Sequence, residues 1–62
     1  MTRENIEKMN PIMLLSLVNT KLRDEFSSME DLNKCYNFSP ELIEDKLNEV
    51  NYFYNKEYNK FI

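Results

Sequence analysis

The chain contains no glycine and no histidine. Phosphate-cradling loops of the Walker and dinucleotide types need glycine so that the backbone can approach the ligand, and both are therefore excluded. Without histidine, the commonest metal ligand and the usual general base are missing. The single cysteine, Cys35, cannot form an internal disulfide. The longest unbroken apolar run, Ile12-Met13-Leu14-Leu15, is far shorter than the ~20 residues that cross a bilayer. The opening segment Met1-Thr2-Arg3-Glu4-Asn5 lacks the apolar stretch of a secretory signal. A lone thiol with no export signal leads us to expect a cytoplasmic location and no membrane partner.

Sixty-two residues make one small domain. A chain of this size removes only about 60% of its unfolded surface from water, so its stability is expected to be marginal. Small scaffolds commonly add a disulfide, a metal or a partner. Disulfide and histidine ligation are unavailable here. Either the core is efficient for its size or self-association completes it.

Net charge is −3, and it is unevenly placed. Residues 1–26 are balanced, with Arg3, Lys8, Lys21 and Arg23 set against Glu4, Glu7, Asp24 and Glu25. Residues 27–50 carry Glu30, Asp31, Glu41, Glu44, Asp45 and Glu49 against only Lys34 and Lys46. Residues 51–62 hold Lys56 and Lys60 against Glu57. The acidity belongs to the middle of the chain.

Residues 1–9 are polar with isolated Ile6 and Met9, and read as a flexible N-terminal arm or a poorly anchored helical turn. Residues 10–62 read as one helical domain. Asn10-Pro11 opens its first helix, asparagine as cap and proline at the first helical position. Leu14, Leu15, Val18 and Leu22 recur at helical spacing, with Ile12 and Leu17 widening the stripe, to about Asp24 or Glu25. Ser27 with Glu30, or Ser28 with Asp31, has capping-box spacing for a second, two-turn helix. Its apolar face is read as Met29, Leu32, Cys35 and Tyr36. Asn37-Phe38 makes a turn. Ser39 caps a third helix with Pro40 at its first position and Leu42, Ile43, Leu47 and Val50 as its buried stripe. With no glycine present, left-handed turn positions fall to asparagine; Asn37, Asn51 and Asn55 stand at the expected element ends.

The tail from Tyr52 is rich in aromatics, which favours strand. A hairpin turning through Asn55 to Tyr58 places Tyr52 opposite Phe61 on the face that carries Tyr54. Tyr54, Tyr58 and Phe61 also lie at helical spacing, so a helix stays open as the alternative. The expected fold is mainly α: a three-helix, helix-turn-helix-like domain with a short C-terminal β-hairpin.

In a DNA reader of that type, the N-terminal part and outer face of the third helix enter the major groove. Here that surface is Pro40, Glu41, Glu44, Asp45 and Asn48. Carboxylates on a reading face oppose the phosphate neutralisation on which affinity depends. The charge therefore argues against nucleic acid as a partner, although the spacing fits. The bland reading of the acidic face is a solvated helix exterior; the sharper one is a docking surface for a basic partner. Glu41 with Asp45, and Glu30 with Asp31, are paired carboxylates only by proximity. Acid–base work needs a desolvated pocket to separate their pKa values. Cys35 has no histidine to activate it and reads as a small core residue. A calcium loop needs the glycine this chain lacks. We expect no enzyme, no cofactor and no metal.

The block from Asn10 to Asp24 resembles a family of short bacterial proteins, the domain of unknown function 4250. The resemblance continues through Ser27-Ser28-Met29-Glu30-Asp31-Leu32, Glu41-Leu42-Ile43-Glu44, Lys46-Leu47, Tyr52, Tyr54-Asn55 and Asn59-Lys60-Phe61. Asn51 stands where that family's glycine is expected. The resemblance implies a small bacterial intracellular protein and carries no activity or functional residue with it. The leading expectation is a protein–protein interaction or regulatory accessory module, acting on an unknown partner or on itself as a homodimer. Its candidate surface is Glu41, Glu44, Asp45, Asn48, Tyr54 and Tyr58. The alternative is a DNA-binding transcriptional regulator of helix-turn-helix type, working through the arm and first helix.

Overall fold

The computed structural model describes residues 1–62. Four helices, α1 (Arg3–Lys8), α2 (Pro11–Asp24), α3 (Met29–Tyr36) and α4 (Glu41–Asn48), precede an antiparallel hairpin of β1 (Tyr54–Asn55) and β2 (Lys60–Phe61). The mainly helical class and the C-terminal hairpin are as expected, with one helix more at the N-terminus. No helix is long and apolar enough to cross a membrane.

The helix starts follow local chemistry. The Asn10 side chain accepts from the backbone N–H of Ile12 at 2.8 Å, and Pro11 holds the first helical position of α2. At α3 the Ser28 hydroxyl accepts from the Asp31 N–H at 3.1 Å, and Ser27 donates to the Asp31 carboxylate at 2.6 Å. The two serines thus share one acid, the second of the two expected pairings. At α4, Pro40 has helical geometry, but no side chain caps the helix. The expected Ser39 hydroxyl cap is not made; only the Ser39 carbonyl accepts, from Leu42.

The stops of α3 and α4 are made by asparagine. Asn37 sits at φ 58° after α3, and Asn51 at φ 67° after α4. In each case the next residue reaches back five positions: Phe38 N–H donates to the Asn33 carbonyl, and Tyr52 N–H to that of Leu47. This is the glycine-type helix stop, with asparagine in the left-handed residue. The third left-handed asparagine is Asn59, at φ 52°, rather than the expected Asn55. Asn55 instead lies in β1, and its side chain accepts from the Tyr58 N–H across the turn.

The hairpin register also differs from expectation. Tyr54 faces Phe61, and Asn55 faces Lys60, so the connection is Lys56–Asn59 rather than Asn55–Tyr58. A four-residue loop closing on a left-handed residue keeps the same faces but moves every pairing by two. The Tyr54 and Phe61 rings lie 5.5 Å apart across the strands.

Every helix and β2 contribute to one core: Ile6, Leu14, Val18, Leu22, Met29, Leu32, Ile43, Leu47 and Phe61. Helix α2 is its axis and packs against α3, α4 and β2, while α1 packs on α4. Ile6 is fully buried, and Lys46 of α4 donates to the Glu7 carbonyl at 2.7 Å, near the C-terminal end of α1. A cation at helical carbonyls complements the negative end of the helix dipole. The segment expected to be a weakly held arm is therefore an anchored helix, because one side chain and one distant lysine hold it.

Two expected core residues lie outside. Ile12 is exposed and Cys35 is exposed. At about 100° per residue, each falls more than about 100° from the centre of its helix's buried stripe. Asn33, not Cys35, completes the inner face of α3 with Met29, Leu32 and Tyr36.

Two asparagines fasten the hairpin to α2. The Asn19 amide donates to the Phe61 carbonyl at 3.1 Å and accepts from the Phe61 N–H at 2.8 Å. The Asn59 amide donates to the Leu22 and Phe26 carbonyls, at 3.0 and 2.9 Å, and accepts from the Tyr54 hydroxyl at 2.6 Å. A two-residue strand pair is not stable by itself, so these bonds and the burial of Phe61 are what keep it in place. We expect Asn37→Gly and Asn51→Gly to shift urea unfolding by less than about 1 kcal/mol, since only backbone geometry is required there. Asn59→Gly preserves that geometry but loses three side-chain hydrogen bonds, and is expected to cost about 2–3 kcal/mol.

Candidate interaction groove

The six candidate surface residues do not form one site. Glu41, Asp45 and Asn48 are exposed on α4, and Glu44 is half-buried. Asp45 lines a shallow cleft between α4 and α1, together with Ile6, Glu7 and Lys46. Tyr58 is exposed at the hairpin turn and shares a second cleft with Ile12, Leu15 and Arg23 of α2. Only Glu44 and Tyr54 come together, in a third groove between α3, the start of α4 and β1.

This groove has apolar walls of Met29, Phe38, Pro40 and Tyr54. Phe38 is set by an aromatic series: its ring stacks on Tyr36 at 5.4 Å, and Tyr36 meets Phe26 edge-on at 5.8 Å. Lys34, Lys56, Glu30 and Glu44 supply the charges. Lys34 is already paired with Glu30 at 3.1 Å on the same helix. Lys56 and Glu44 enter none of the ion pairs.

Asn33 also lines the groove. Its residue surface is 8% exposed, and its amide oxygen is buried with no hydrogen-bond partner. Leaving an acceptor in that state costs about 1–3 kcal/mol. It is the buried side-chain polar atom of this protein left without a partner. A stripe traced through apolar residues alone passes over Asn33, because its side chain is polar. Its spacing from Met29 and Tyr36, at i+4 and i−3, is the signal that placed it on the inner face.

The cations elsewhere are largely held in place by neighbours. Arg3 pairs with Glu7, Lys8 with Glu4, Lys21 with Glu25 and Arg23 with Asp24. Hydrogen bonds to Glu25 and then to Tyr36 hold the Lys21 ammonium above its usual pKa of 10.5. The Arg23 guanidinium holds the neighbouring Asp24 carboxyl below its usual 3.8. No three carboxylate or thiol side chains gather into a metal-ligating cluster.

A family model described as a domain of unknown function (DUF4250) matches residues 8–61. The chain belongs to that family. The match takes in α2, α3, α4 and the hairpin, and with them all ten residues that line the groove. No curated protein and no solved structure matches the chain.

Two outcomes follow from this electrostatic and polar arrangement. Asn33→Leu removes the unpaired acceptor and is expected to raise stability by about 1–3 kcal/mol, visible as a higher thermal midpoint. The folded state raises the Lys21 pKa, so its contribution is fully present below 10.5 and is lost as pH rises through the folded value. Urea unfolding should therefore find Lys21→Met less stable than the parent at neutral pH, with the gap closing above that pH.

Proposed function

We propose that this protein is a protein–protein interaction module and that the groove between α3, α4 and β1 is its docking site. The observation that carries the reading is an open groove walled by Met29, Phe38, Pro40 and Tyr54, with Lys56 and Glu44 beside them in no ion pair. The aromatic and apolar walls fit the composition of interface centres, where Tyr and Phe are enriched. The free Lys56 and Glu44 suit a polar rim.

The arrangement of charge weighs against the alternative of a helix-turn-helix DNA reader. Five of the eight cations, Arg3, Lys8, Lys21, Arg23 and Lys34, are paired with acids of their own or adjoining helical turns. Arg3 and Lys8 lie on α1, whereas Lys21 and Arg23 lie about 15 Å along α2 from its start. Each of these four cations is held by an acid on its own segment, which leaves little free positive charge for a phosphate backbone. The exposed carboxylates of α4 add repulsion.

Photo-crosslinking in the native cell tests this function. A photoreactive residue at position 34 or 56 is expected to yield a discrete crosslinked species, while one at Asn48 or Asn5 yields none. A product with the mass of two copies would make the module a homodimer. Equal labelling from every position, or none from the groove, overturns the reading.

A further inference from the structure

We infer that α1 is an exchangeable helix: it leaves its seat on α4 as a unit, and the vacated seat takes α1 of a second copy, so that two chains pair by trading their first helices. The surface concerned is separate from the groove between α3, α4 and β1. Little joins α1 to the rest of the chain. Of its six residues only Ile6 is buried, and the other five are exposed. Met1 and Met9, just outside it, pack partly buried against the core. One hydrogen bond leaves the segment, from the Lys46 ammonium to the Glu7 carbonyl at 2.7 Å. Its other bonds are internal. The Thr2 hydroxyl caps its start, the Met9 N–H donates to the Ile6 carbonyl at its end, and Arg3 with Glu7 and Lys8 with Glu4 pair along its length. A helix that carries its own caps and ion pairs keeps them all in a new host. Six residues are too few to stay helical alone in water, so α1 either sits in a seat or unravels.

Proline sets the hinge. In a continuous helix the N–H of residue 11 would donate to the Glu7 carbonyl, four positions back. Pro11 has no N–H, and the Lys46 ammonium takes that place. Proline also keeps the residue before it extended wherever α1 lies, and Asn10 has ψ 134°. Met9 is extended as well, at φ −73° and ψ 141°. Rotation about the Met9 backbone therefore moves α1 while the Asn10 cap of α2 stays in place.

The occupant is specified by what already sits there. Pro11, Leu42, Asp45 and Lys46 line a cleft with Ile6 and Glu7. The first four fall within the family-matched residues 8–61, and Ile6 and Glu7 do not. The shared domain thus brings the seat, and the segment before it brings the plug. The seat buries one branched aliphatic side chain and offers one ammonium to a carbonyl in the next residue. A second copy's α1 presents the same two groups at the same spacing. The side-chain charges of α1 cancel, so it brings no net charge to the acidic α4. Trading a terminal element is a low-cost route to a dimer, because each contact is remade between copies. Asn5 remains exposed in the exchanged pair as in the single chain.

A synthetic peptide of residues 1–10, titrated unlabelled into the isotopically labelled intact chain, tests the exchange. It is expected to shift the amide resonances of Leu42, Asp45 and Lys46 and to send those of Arg3–Lys8 to unstructured positions. The chain's own α1 lowers the apparent affinity by the fraction of seats that stand open. Ile6→Ala in the chain should therefore tighten peptide binding about tenfold, and Ile6→Ala in the peptide should weaken it about tenfold. Glu7→Pro in the chain, which breaks α1 without touching a buried side chain, should tighten binding as Ile6→Ala does. In concentrated equal mixtures of differently labelled intact chains, sedimentation should show a pair that grows with concentration, with intermolecular NOEs from Ile6 of one copy to Leu42 of the other. A strict monomer at every concentration, a pair whose intermolecular contacts exclude Ile6, or a peptide that leaves the α4 resonances unmoved in the parent and in both chain variants overturns the exchange.

Discussion

The amide of Asn59 is the contact on which the C-terminal third of this protein depends. It meets two carbonyls near the end of α2 and the Tyr54 hydroxyl in one residue, and that residue also supplies the left-handed backbone of the hairpin turn. Helix ends leave carbonyls unpaired, and a buried one needs a donor. Here the donor comes from 33 and 37 positions away in the chain. The hairpin therefore does not form beside the helical core but as its cap. Asn19 repeats the device one turn earlier, closing the outer edge of β2, and Phe61 inserts into the core between the two.

A chain without glycine gains from this use of asparagine. Each of its three left-handed residues is asparagine. Asparagine tolerates that conformation because its short polar side chain can bond locally, and unlike glycine it keeps a side chain with which to bond. At Asn37 and Asn51 only the backbone matters. At Asn59 backbone and side chain are both used. A core of nine buried apolar residues in 62 is modest, and it draws on every helix. Local surface ion pairs, mostly one helical turn apart, add little to stability and leave the surface charge largely self-compensated.

The acidic exterior of α4 and the groove beside it have different physical meanings. Glu41, Asp45 and Asn48 are exposed, as the outer faces of helices usually are. The groove combines what folded proteins avoid: an apolar surface left open, and a buried acceptor left unpaired. The open apolar walls are the part of it that a neighbouring molecule can reach; the Asn33 oxygen lies beneath the surface.

The starts of α2 and α3, the spans of α2 to α4, the left-handed Asn37 and Asn51, and the existence of the hairpin are all legible in the order of residues. They rest on interactions within a few positions: Asn10 with Ile12, Ser28 with Asp31, and apolar side chains repeating each turn. Expectation and structure part where the deciding contact is distant. Ile6 and Lys46 make a helix of the first segment through α4, and Asn59 and Asn19 set the hairpin on α2. A sequence determines local geometry because the bonding groups are neighbours at any stage of folding. The groove was decided by tertiary structure alone, since it exists only where three elements far apart in the chain are held against one another.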